Sequence, residues 1–229
     1  MRKSFFILAI SLLLPFICCA QESIESLKDK AQKGDAEAQL NLGRCFYYGE
    51  GVAKDYKQAV YWFMKAAEQE NEDAQILLGR CYFLGEGVVQ DDKQAIYWYK
   101  KAAEQGHVKA QYLLGECYKN GDGVDKDINQ AVYWYREAAR QRDADAQYEL
   151  GRCYAEGEGG LPKDIGETAF WWEQAGEQGN RYAQYGLGKL YFDGDEVAED
   201  LKQAEYWFKK AADQGYEDAK FYLKIIKGE

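Results

Sequence analysis

Catalytic side chains are scarce in this chain of 229 residues. It has one histidine, His107, and one threonine, Thr168, and beyond the first twenty residues its only serines are Ser23 and Ser26. Neither serine opens an S-x-x-K motif, because Ser23 is followed at that spacing by Ser26 and Ser26 by Asp29. The serine-based acyl-transfer arrangements therefore lack their local signature. A cysteine–histidine pair lacks local support as well, and His107 is read as an exposed residue at a unit junction. Positive charge is in deficit too, with 29 Lys and Arg against 39 Asp and Glu and a formal charge of −10. That balance opposes a polyanion, so no nucleic-acid partner is expected. Long apolar runs are absent after the start of the chain. The one run, Phe5 to Ile17, contains Pro15 and falls short of the ~20 residues that a spanning helix needs.

That run has the layout of a secretory signal. Arg2 and Lys3 precede it, the small residues Cys18, Cys19 and Ala20 follow, and polar Gln21 and Glu22 come next. Residues 1–20 are expected to be a cleaved leader, with lipid attachment at Cys18 or Cys19 as the alternative. The mature protein is then exported, either periplasmic or secreted. Hydrophobic residues make up 47% and aromatics 15% of the chain, enough apolar material to bury a core.

What the chain has in abundance is repetition. Leu-Gly pairs stand at Leu42-Gly43, Leu78-Gly79, Leu114-Gly115, Leu150-Gly151 and Leu187-Gly188, spaced by 36, 36, 36 and 37 residues. Ala38-Gln39 and Trp62 recur in the same phase, and one extra residue at Gly160 accounts for the longer interval. Helical patterning at this period predicts stacked helix pairs: five units at 35–70, 71–106, 107–142, 143–179 and 180–215. Capping helices are expected at 21–34 and 216–229. In a unit, the first helix runs from about Asp35, a capping residue, to Tyr48, with Gly49 ending it. The second begins near Asp55, places Ala59, Trp62 and Ala66 on one face, and ends near Gln69. A glycine inside a helix costs about 1 kcal/mol relative to alanine, so five in one phase imply close approach of a neighbouring helix. Polar residues replace the packing ones at the ends, Ser26 at the front and Lys224 and Lys227 at the back. Both ends read as solubilising caps, and no further helix is expected after them.

The pattern A-Q…L-G…Y…G-x-G-V…D…A…W…A-A-E-Q-G resembles the Sel-one-like repeat family, relatives of the tetratricopeptide repeat, over residues 22 to 229, and His107 falls in the E-Q-G-H junction. The resemblance implies an all-α, right-handed α/α solenoid with a concave groove, and an adaptor that holds protein or peptide partners, without a cofactor. Family members act in signalling, in quality control in the endoplasmic reticulum, or in bacterial envelope and host interactions. Unit four departs from the pattern, with Gly176 for the second alanine and Thr168 for Ala59. A few secreted relatives carry two cysteines per unit that staple its helices, and have been assigned β-lactamase or penicillin-binding activity. A secreted hydrolase of that type is the alternative reading, and a passive structural element is a second.

Cys45, Cys81, Cys117 and Cys153 share one phase, and Leu190 stands there in unit five. One cysteine per unit cannot form the relatives' staple. Equivalent positions on packed helices lie ~8–10 Å apart, beyond the ~7 Å that a disulfide spans. Buried free thiols are therefore expected, and cysteines in a row do not converge on a metal. The carboxylates Glu50, Glu86, Asp122, Glu158 and Asp195 repeat in one loop phase, which favours a structural role over glycoside hydrolysis. The G-x-G loops lack a preceding strand and a lysine at Walker spacing, so they read as helix terminators.

Comparison among units isolates a candidate surface. Phases 38, 39, 42, 43, 45 and 46 scarcely change, whereas 37, 41, 44 and 48 vary. The four variable phases lie within about 60° on a helical wheel, a single face. With phase 40 beside them, they nominate Asn41, Arg44, Tyr48, Leu77, Arg80, Tyr112, Leu113, Glu116, Tyr148, Arg152, Tyr185 and Lys189 as a binding strip. Arg44, Arg80, Arg152 and Lys189 form a mostly basic row interrupted by Glu116, suited to an extended peptide with acidic groups. The competing expectation pairs these cations with Glu37, Asp73 and Asp145. Tyr112, Tyr148 and Tyr185 are the expected energetic anchors. A monomer is expected.

Overall fold

The computed structural model describes residues 23–194 and 198–228. The expected leader, with Cys18 and Cys19, and Asp195 lie outside them. Among the described residues there are twelve α-helices and no strand. They are α1 (Ile24–Gln32), α2 (Ala36–Tyr48), α3 (Tyr56–Ala67), α4 (Glu72–Leu84), α5 (Asp92–Glu104) and α6 (Val108–Asn120). The series continues with α7 (Ile128–Arg140), α8 (Ala144–Glu156), α9 (Ile165–Glu177), α10 (Arg181–Asp193), α11 (Leu201–Asp213) and α12 (Glu217–Lys227). Each helix packs mainly on the one before and the one after it, the pattern of an all-α repeat solenoid rather than helices gathered around one centre.

Local chemistry sets most boundaries, although α6 and α12 start without a side-chain cap. The Asp35 side chain accepts the amide of Ala38 at 2.7 Å, and Asp55 accepts those of Lys57 and Gln58, satisfying donors that the first turn leaves free. The first helices end on Gly49, Gly85, Gly121, Gly157 and Gly194, all left-handed. The second glycine of the loop has a different task. A Cβ on Gly87 would strike the carbonyl oxygen of Tyr56, and one on Gly123 that of Asp92. The loop thus presses on the first turn of the preceding unit's second helix.

The glycine inside each first helix answers to a neighbour in its own unit. A Cβ on Gly43 would meet Cδ1 of Phe63 at 2.5 Å, and Gly79, Gly115, Gly151 and Gly188 face Tyr99, Tyr135, Trp172 and Phe208 in the same way. These rings come from the second helix of the same hairpin, so the close approach lies within the unit.

Between units, a buried glutamine forms the stitch. Gln39, Gln75, Gln111, Gln147 and Gln184 each donate to a carbonyl near the end of the preceding second helix, at 2.7 to 3.3 Å. Their side-chain oxygens accept from Gln69, Gln105, Gln141, Gln178 and Gln214 at 2.7 to 2.9 Å. Each glutamine therefore joins two second helices through a first helix, and a buried amide with both ends paired avoids the penalty of desolvation.

On α12, Lys224 and Lys227 are exposed, and Phe221 and Ile225 are exposed beside them at 62% and 44%. No helix among the described residues is long and apolar enough to cross a membrane.

Candidate functional site

The strip forms on α2, α4, α6, α8 and α10, but its members lie at different depths. Tyr48 is exposed, whereas Asn41, Arg44, Arg80, Leu113, Glu116, Tyr148, Arg152, Tyr185 and Lys189 are half-buried. Leu77 and Tyr112 are corrections, each only 7% exposed. Tyr112 tilts against Tyr135 with ring centres 6.1 Å apart, and the Lys109 ammonium caps it at 4.4 Å. A ring clamped between the core and a lysine is not free to anchor a ligand.

The basic row is largely neutralised from within. Arg44 Nη2 lies 2.8 Å from Asp73 Oδ2 in the next unit, and His107 Nε2 lies 3.2 Å from the other oxygen. His107, read from the sequence as exposed, is half-buried at the start of α6 with a side chain 26% exposed, and that side chain makes no capping hydrogen bond to the helix. Its hydrogen bond, foremost, and then the Arg44 charge hold Asp73 below the usual carboxylate range against the opposing effect of burial. Two units on, Asp145 takes Lys109 at 3.6 Å and the Asn180 amide at 3.1 Å. Arg152 binds Glu149 at 3.1 Å and Glu156 at 2.8 Å, and Lys119 bridges Glu149 to Glu116, which also accepts from the Tyr135 hydroxyl. Lys189 pairs with Asp193 at 2.8 Å. Arg80 alone of the row has no carboxylate partner among the described residues, and its guanidinium sits 5.6 Å from the centre of the Tyr47 ring.

Aromatic rings run along the later part of the strip. Trp172 stacks on Tyr148 at 6.1 Å and donates to its backbone oxygen. Tyr148 then meets Tyr182, Tyr182 meets Tyr216, and Tyr216 stacks on Tyr185 at 4.6 Å. Trp172 and Tyr216 were not singled out by the sequence, although the doubled tryptophan of unit four was a usable signal. The carboxylates Glu50, Glu86, Asp122 and Glu158 remain in separate loops, and no group of three or more His, Cys, Asp or Glu among the described residues converges as a metal site.

The four repeat cysteines are buried and unbridged. Burial pushes the thiols of Cys81 and Cys153 up to about 12, and raises that of Cys117 as well.

The Sel1 repeat model matches residues 36–71, 72–107, 108–143, 144–180 and 181–216. The chain belongs to the Sel1 repeat family. Among solved structures, it is similar to a protective antigen of uropathogenic Escherichia coli that displays an SLR fold, at 37% identity and a TM-score of 0.84. That match covers 89% of this chain and 43% of the antigen. A Sel1 repeat protein from Oxalobacter formigenes aligns at 31% identity and a TM-score of 0.77, over 90% of both chains. A shorter stretch of 44 residues is 46% identical to the secretory immunoglobulin A-binding protein EsiB of Escherichia coli. It covers 19% of this chain and 9% of EsiB, so this chain spans only part of these larger relatives. Sel1 repeat proteins generally mediate protein–protein interaction, and the family and its structural neighbours are generally non-catalytic scaffolds.

Proposed function

We propose that this Sel1 repeat protein is an exported, monomeric, non-enzymatic scaffold that holds a protein or peptide on the groove lined by its first helices. The observation that carries the reading is the half-buried strip, varied between units where the packing residues are not. The name of EsiB, which binds secretory immunoglobulin A, supports a protein as the class of partner. The leader-like residues 1–20 support export.

The internal ion pairs favour aromatic rings for the main anchoring role. Tyr48 is 49% and Tyr182 42% exposed, and Tyr148, Tyr185 and Trp172 extend the surface around Tyr182. Except at Arg80, a ligand carboxylate would have to displace a partner such as Asp73 from Arg44 or Glu149 from Arg152, whereas an apolar or aromatic side chain displaces only water. Cross-linked capture from the native compartment, by the wild type and by a Tyr48→Ser, Tyr182→Ser double variant, tests this. The wild type is expected to retain a defined partner that the variant loses. Equal capture removes the groove from consideration, and turnover of a β-lactam by the purified protein would contradict the non-enzymatic reading.

A further inference from the structure

The second helices α3 and α5 carry a row of lysines without carboxylate partners, whereas the strip keeps only Arg80 in that state. On α3, Lys57, Tyr61 and Lys65 succeed one another every four residues, and on α5 the same order recurs as Lys93, Tyr97 and Lys101. Residues four apart share a helix face. Tyr61 is 51% and Tyr97 48% exposed. Each ring is fixed edge-on against its tryptophan neighbour, Trp62 or Trp98, at 4.9 and 5.0 Å. All four lysines are exposed, and none has a carboxylate partner among the described residues. Lys101 instead rests 5.2 Å from the Tyr97 ring centre. Unit three already breaks the stripe with Asn129 and Glu137 around Tyr133, and unit four places Gly166, Phe170 and Gln174 at these phases.

We propose that this stripe is a second docking surface, separate from the groove, that takes an acidic peptide segment. Four unpaired ammonium groups on a chain of formal charge −10 make a local positive field that suits a run of Asp or Glu side chains. The two rigid rings supply flat contact area at little entropic cost. A bilayer fits less well, because Tyr61 and Tyr97 are the only exposed large apolar side chains on these helices and Val89, in the loop before α5, is a single short wedge. Neither the peptide's binding nor its loss depends on the groove reading, whose test uses Tyr48 and Tyr182.

Fluorescence anisotropy of a labelled poly-glutamate peptide against the full chain tests the surface. Binding is expected, weakening as salt rises. A Lys57→Gln, Lys93→Gln double variant with unaltered circular dichroism should bind about tenfold more weakly, the loss that charge removal produces at a complementary interface. Arg80→Gln, which removes the groove's unpaired cation, should leave binding unchanged. The proposal is overturned if poly-glutamate fails to bind, or if Arg80→Gln weakens it as much as the lysine changes do. It is equally overturned if phosphatidylserine vesicles bind through these lysines while the peptide does not, or if the lysines mediate self-association of the chain.

Discussion

Trp172 occupies the space where a side chain on Gly186 would begin. A Cβ on Gly186 would meet Cζ3 of Trp172 at 2.8 Å, while the other edge of the same indole faces Gly151 at 2.5 Å. Units two and three have leucine at the phase of Gly186, namely Leu77 and Leu113, where the preceding unit's second helix presents the smaller Phe63 or Tyr99. Gly186→Leu should therefore destabilise the fold by about 1–3 kcal/mol through overpacking. Adding Trp172→Phe should recover part of that loss. A double-mutant cycle in urea measures the coupling, and strict additivity would refute this account.

The glutamine stitch predicts a large effect from a small change. Gln111→Ala removes the donor to the Ala103 carbonyl and the acceptor for Gln141, leaving groups short of partners in a buried site. A loss of about 2 kcal/mol is expected. Gln141→Ala should be milder, because that residue is exposed. Chemical denaturation of both variants gives the comparison.

Acid should weaken the Arg44–Asp73–His107 brace. Asp73 is depressed in the folded state, so its contribution is complete above the unfolded value of about 3.9 and disappears as pH falls through the lower folded value. Asp73→Asn should lower stability at neutral pH and flatten this part of the acid limb. Urea midpoints from neutral pH down to the acid transition provide the measurement.

Thiol chemistry should report on packing. Cys45, Cys81, Cys117 and Cys153 are buried, and burial raises the thiols of Cys81, Cys117 and Cys153. Alkylation of the native protein near neutral pH should be slow at all four, and guanidinium should release them together. Prompt labelling of the native protein would contradict this packing.

The helix pattern was legible because its causes are local. Asp35, Asp55 and Gly49 cap or end helices through atoms within four residues of themselves. The depth of Tyr112 and Tyr148 was not legible, although they share a phase. Tyr112 sinks against Tyr135, whereas Tyr148 stays nearer the surface stacked on Trp172. The pairing of Arg44 with Asp73, the competing expectation for the basic row, spans 29 residues and follows from aligning units rather than from a helical wheel of one segment. The origin of the Leu-Gly glycine was half legible: crowding followed from the helix, but the crowding ring, Phe63 or its counterpart, lies in another helix of the unit.

Helices that pack mainly on their neighbours in the chain leave the structure without cross-bracing between distant parts. Small rotations at successive junctions then accumulate, as the flexing of a leaf spring does, so that reach and curvature change much more than any single contact. A ligand gripping both ends would read the shape of the whole array, and a defect at one junction would alter its fit at places that the defect never touches.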